Sequence, residues 1–191
     1  NLERNQQGGI VTVEATHIQL SDKDLAFLAK ETDLEFLDLT GNNVTNAGLV
    51  HLKDLDRLET LVLTFNRIGM GFATDPSSQI TNAGMVHLTG LSNLKRLSLD
   101  HCKITDAGLV HLKGLTNLQY LGLNGTQITD AGLVHIEGMT KLKELGLNGT
   151  QITGAGLVHL KEMTNLNTLW LNNTSITDAG LVHLKGLTNL Q

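Results

Sequence analysis

The sequence predicts an α/β fold of one kind: a right-handed βα solenoid, with a concave parallel sheet inside and short helices on the convex side. Three observations carry that prediction. A Leu-x-x-Leu-x-Leu triplet recurs at Leu34, Leu37, Leu39, then at Leu58, Leu61, Leu63, and again at Leu94, Leu97, Leu99. It continues at Leu118, Leu121, Leu123, at Leu142, Leu145, Leu147, and at Leu166, Leu169, Leu171. The step is 24 residues throughout, except between the second and third triplets, where it is 36. Within each step the apolar residues follow first a strand period and then a helix period.

The elements follow in chain order. A degenerate first unit runs from Ile10 through Val13, Ala15, Ile18 and Leu20 to Leu25 and Leu28. In a regular unit such as Leu118 to Leu123, Leu121 and Leu123 alternate with polar or small residues, as in a short strand with one buried face. A column of Asn42, Asn66, Cys102, Thr126, Thr150 and Thr174 stands where the chain leaves the sheet. Short polar side chains there satisfy backbone groups of the turn and of the next unit. Between Ile128 and Gly138, Thr129 and Asp130 can cap a helix, Leu133 and Ile136 share one face, and Gly138 suits a left-handed terminating residue.

Burying about six large aliphatic side chains yields roughly 9 to 18 kcal/mol, whereas ordering 24 backbones costs about 24 to 48 kcal/mol. No unit is stable alone, and stability comes from stacking. Parallel strands pack about 4.8 Å apart and helices about 8 to 10 Å apart, so the strand side must be the inside of an arc. The whole chain, residues 1–191, reads as a single domain of about seven units, with a 12-residue insertion near 69–79.

The repeated pattern resembles the leucine-rich-repeat family over nearly the whole chain. The segments Ile104 to Leu109, Ile128 to Leu133 and Ile176 to Leu181 resemble the cysteine-containing subclass found in F-box substrate receptors, and similar bacterial arrays. In that column the cysteine stands only at Cys102, with Asn or Thr elsewhere, and nothing before Ile10 is long enough to be an F-box. The resemblance implies a recognition role and names no partner.

Composition narrows the function. With 14 Lys and Arg against 19 Asp and Glu, the chain offers no positive field for nucleic acid or an anionic membrane surface. No stretch approaches the roughly 18 apolar residues of a membrane span. The single cysteine excludes an intrachain disulfide and a cysteine-based metal cluster. One histidine per unit, at His51, His87, His111, His135, His159 and His183, falls on the helical side. Neighbouring units there are too far apart to share an ion at about 2.1 Å, so these residues read as packing positions, as does Phe27 in the first unit. No nucleophile and base fall in register and no phosphate-binding loop occurs, so the sequence predicts no catalytic residue, no cofactor and no metal.

The residues flanking the strand leucines face the concave side. They supply the candidate partner-binding residues: Phe36, Asp38, Val62, Arg96, Asp100, Tyr120, Asn124, Glu144, Asn148, Trp170 and Asn172. The chain's only Tyr and only Trp both belong to this set, with Gly122 and Gly146 between them as a floor over which a partner could approach the backbone. Met70 and Phe72 in the insertion are candidates for a flap over that face. The predicted function is non-enzymatic recognition of a protein or peptide. Its rivals are a structural spacer or assembly module, and carbohydrate binding by Asn124, Asn148 and Asn172 beside the aromatics. Leu187 to Gln191 reads as the approach to a further strand without a polar cap, so self-association through that edge is expected.

Overall fold

The computed structural model describes residues 1–65 and 79–191. Eight strands form one sheet in sequence order: β1 (Leu2–Arg4), β2 (Ile10–Glu14), β3 (Phe36–Asp38), β4 (Thr60–Val62), β5 (Arg96–Ser98), β6 (Tyr120–Gly122), β7 (Glu144–Gly146) and β8 (Thr168–Trp170). From β2 onward every pairing is parallel, and Val13, Leu37, Leu61, Leu97, Leu121, Leu145 and Leu169 stand opposite one another. Strand β1 pairs antiparallel with β2, which the polar start of the chain did not foretell.

The helices are α1 (Asp22–Leu28), α2 (Asn46–Leu49), α3 (Asn82–Met85), α4 (Asp106–Leu109), α5 (Asp130–Leu133) and α6 (Asp178–Leu181). Short 3-10 helices continue α2, α3, α4 and α6, and in the sixth unit a longer one, Gly154–Leu160, stands in place of an α-helix. One apolar core runs between sheet and helices, and the second and third triplet leucines from Leu37 to Leu147 are fully buried. Leu133 and Ile136 are buried together, as their spacing requires.

A residue with positive φ follows the sheet in every unit: His17, Gly41, Phe65, His101, Gly125, Gly149 and Asn173. Four are not glycine, so they hold a conformation that costs an L-residue energy and that the surrounding ladder enforces. Backbone bonds do this, with His101 N–H donating to Asn124 C=O at 2.7 Å and Gly125 N–H to Asn148 C=O at 2.7 Å. The left-handed residue therefore belongs to the strand exit. Gly138, expected to be left-handed at a helix end, is not among the positive-φ glycines.

The exit column is structural. Asn42 is fully buried, donates to the Ala15 carbonyl, and accepts from Leu20 N–H at 3.0 Å and Ile18 N–H at 3.3 Å. Those partners lie in the preceding unit, not the following one. The Cys102 thiol likewise donates to the Leu63 carbonyl at 3.6 Å. The shorter Thr126 and Thr150 hydroxyls instead reach Leu123 and Leu147 of their own units at 2.6 and 2.7 Å. Asn66 in this column, and Met70 and Phe72 of the insertion, lie outside the described residues. Two first-unit apolar residues stay in solvent: Ile18, at the Asn42 position, is 62% exposed, and Phe27 is 74% exposed, so Phe27 does not pack as its column predicts.

Candidate functional site

Two registered rows of side chains line the concave face. The first runs Phe36, Thr60, Arg96, Tyr120, Glu144, Thr168, and the second Asp38, Val62, Ser98, Gly122, Gly146, Trp170. Thr40, Thr64, Asp100, Asn124, Asn148 and Asn172 follow two residues later in their units. The alternation of a pleated strand, with leucines inward, places all three rows outward.

The aromatic residues meet. The Tyr120 and Trp170 ring centroids are 6.4 Å apart with the planes at 62°, an edge-to-face pair. Strands β6 and β8 are two spacings apart, about 9.6 Å, so the rings lean toward each other across β7, where Gly146 presents no side chain. On Tyr120 the Arg96 guanidinium sits 3.5 Å from the ring centroid, a cation–π contact. Arg96, Tyr120 and Trp170 thus form one cluster spanning β5 to β8, with Glu144 of β7 in register between Tyr120 and Thr168.

The glycine floor is not open. Gly122 and Gly146 are buried. A Cβ on Gly122 would lie 2.8 Å from the Asp100 carboxylate and 3.0 Å from the Tyr120 hydroxyl, and one on Gly146 would lie 2.6 Å from Asn124 Nδ2. The glycines make room for the protein's own side chains. That corrects the expectation of bare backbone flanked by aromatic anchors.

Those side chains form a ladder across the units. Asp100 Oδ1 accepts from Asn124 N–H and Asn124 Nδ2, both at 2.8 Å. Asn124 Oδ1 accepts from Asn148 N–H at 2.9 Å, and Asn148 Oδ1 from Asn172 N–H at 2.8 Å. Ser98, half a step back, donates to Asp100 Oδ2 at 2.8 Å and shares a 2.9 Å hydrogen bond with Thr64. Asp100, Asn124 and Asn148 therefore hold the sheet together while lining it. Buried Ser98 belongs to the site as well, and its signal was its register with Asp38 and Val62 beside the strand leucines.

Electrostatics around Tyr120 reflect this packing. Burial pushes its phenol above the ordinary range, and the Asp100 charge adds to that. Arg96 pulls it down, Glu144 pushes it up, and the Ser98 hydrogen bond lowers it. The remaining candidates lie on the same face but apart: Phe36, Asp38 and Val62 are half-buried on β3 and β4, and β3 is about 14 Å from β6 along the sheet. Asp38 accepts from Thr40 N–H at 2.8 Å. Asn172 is exposed beyond Trp170.

Hollows occur elsewhere. One of about 410 Å³ at the N-terminal edge is lined by Leu2, Val13, Ala15, Ile18, Leu20 and Leu28 among others, and one of about 280 Å³ lies on the helical side between Thr153 and His183. Among the described residues, no group of three or more His, Cys, Asp or Glu is placed to hold a metal ion. Among them too, no helix is long and apolar enough to cross a membrane. The histidine column is half-buried on the helical side, where His159 Nδ1 lies 3.1 Å from Glu137 Oε2.

Family models for leucine-rich repeats match residues 31–56 and, as two copies, residues 92–135. The chain carries leucine-rich repeats. Among solved structures, this leucine-rich-repeat chain resembles internalin C2 from Listeria monocytogenes with a TM-score of 0.75 and 27% identity, over 95% of this chain and 78% of that one. It resembles a second internalin of that organism, inlF, in fold, with a TM-score of 0.54 and 24% identity over 91% of this chain and 57% of that one. No curated protein sequence matches. The matched models are general ones, so the F-box receptor subclass remains a resemblance of the Ile-Thr-Asp-Ala-Gly-Leu segments.

Proposed function

We propose that this protein is a non-enzymatic recognition module that binds a protein or peptide through the concave sheet face. The observation carrying this reading is the meeting of the only Trp and the only Tyr on that face, both partly exposed and both held in place. Trp, Tyr and Arg are the residues that dominate binding energy at protein interfaces. A leucine-rich-repeat fold related to the internalins supports the general class. The ladder bears on the carbohydrate alternative: Asn124 spends its side chain on Asp100 and Asn148, and Asn148 spends its carbonyl on Asn172, so few polar groups are left for sugar hydroxyls.

The test is capture of partners by the intact array, compared with Trp170→Ala and Tyr120→Ala. Each variant should weaken binding by more than about 1 kcal/mol while hardly moving the melting temperature. Unchanged capture by both would remove the concave face from the function. Self-association is a second reading. Light scattering should then show mass rising with concentration, and a constant monomer mass would remove it.

A further inference from the structure

We infer that the concave site takes a basic segment, one of whose lysine or arginine side chains seats on the Trp170 ring beside Glu144. This rests on the reading of the concave face as the binding surface and adds the chemistry of what it binds.

Charge on the three concave rows is unbalanced. Asp38, Asp100 and Glu144, with Glu14 opposite Asp38 on β2, supply four carboxylates, and Arg96 supplies the only cation among the described positions. Arg96 is already committed to the Tyr120 ring. Its guanidinium also demonstrates what these rings accept, because the negative face of an aromatic attracts a cation, most strongly in the case of Trp. Tyr120 has Arg96 on its ring and Trp170 against it, whereas Trp170 has no cation of its own among the described residues.

Glu144 provides the counter-charge at that point. It stands on β7, between the strands that carry the two rings, and its carboxylate has no ion pair or hydrogen bond among the described residues. Other carboxylates of the face are occupied: Asp100 accepts from Ser98 and Asn124, and Asp38 from Thr40. Of the nearby lysines, Lys95 pairs with Glu59 at 2.6 Å, and Lys143 precedes Glu144 on the alternate side of the strand. The rise in the Tyr120 phenol comes first from burial, and the Asp100 and Glu144 charges add to it against the pull of Arg96. A partner cation would therefore find a ring face and an unpaired carboxylate together. An acidic partner would meet four like charges.

A peptide-display library selected on the full chain and counter-screened on Trp170→Ala tests this. The best peptide is then titrated by tryptophan fluorescence, which reports Trp170 alone because the chain has a single Trp. The expected result is Trp170-dependent peptides rich in Lys or Arg, binding that weakens as salt rises, and a loss of about tenfold, or about 1.4 kcal/mol, in Glu144→Gln. Trp170-dependent peptides that are neutral or acidic, or that ignore both salt and Glu144→Gln, would overturn this inference and leave concave-face binding standing. Peptides that bind equally to Trp170→Ala would overturn both.

Discussion

The Asp106 carboxylate accepts the backbone N–H of Thr129 at 2.8 Å and its hydroxyl at 2.6 Å, so a residue in one unit caps the helix start of the next. Asp22 does the same for Thr45 and Asp130 for Thr153, while Asn46 and Asn82 bond Thr81 and Thr105 through their amides. The carboxylate also lies where a side chain on Gly132 would be: a Cβ there would sit 2.3 Å from Asp106 Oδ1. This relationship explains the Asp-Ala-Gly motif, since each Asp or Asn needs a glycine in the following unit to pass over.

Gly132→Ala should therefore destabilise, although alanine is the better helix former by about 1 kcal/mol. Expelling Asp106 from its two bonds costs more, about 1 to 3 kcal/mol net. Asp106→Ala should cost a similar amount, and the double variant clearly less than the sum, because both changes remove the same interaction. Urea midpoints of the four proteins decide it. Strict additivity would mean that the collision and the cap are unrelated.

The ladder stops at Gly154, which occupies the Asp position of its unit and offers Thr177 no cap. The backbones close in instead: a Cβ on Gly154 would meet Gly180 Cα at 2.7 Å. Gly154→Ala should cost about 1 to 3 kcal/mol through this overlap. Gly114→Ala, facing open space, should stay within about 0.5 kcal/mol. Thermal or urea unfolding compares the two, and equal effects would count against a backbone-to-backbone junction.

Leu121 is fully buried in the middle of the leucine row. Leu121→Ala should lower stability by about 2 to 5 kcal/mol, the transfer cost plus that of the cavity left between two close-packed units. A loss under about 1 kcal/mol in chemical denaturation would contradict the packing of the inner row.

The repeat, its elements and the facing of its rows were legible in the sequence because a 24-residue step forces equivalent residues into equivalent places. Tyr120 and Trp170 could be put on one face by their spacing from the leucines. Their contact could not, since they are 50 positions apart by number and at different points of their units, and only the absence of a side chain on Gly146 lets the rings lean together. For the same reason Gly122 and Gly146 read as an open floor: nothing local tells that Asp100 and Asn124 reach across from the preceding unit. Strand β1 was missed because an edge strand of exposed Leu2, Glu3 and Arg4 has no buried face to impose alternation.

Tyr120 supplies a direct readout of the site, being the only tyrosine, so phenolate absorbance titrates a single group. Burial, followed by Asp100, holds its phenol above the ordinary value of about 10. The folded protein then keeps a proton that the unfolded chain releases near pH 10. Stability is full below that pH and declines as pH rises from about 10 through the folded midpoint. Arg96 is the charge that opposes the rise, so Arg96→Gln should move the midpoint higher, while Asp100→Asn should bring it back toward 10. An Arg96→Gln midpoint below that of the unaltered protein would show that the guanidinium does not rest on the Tyr120 ring in solution.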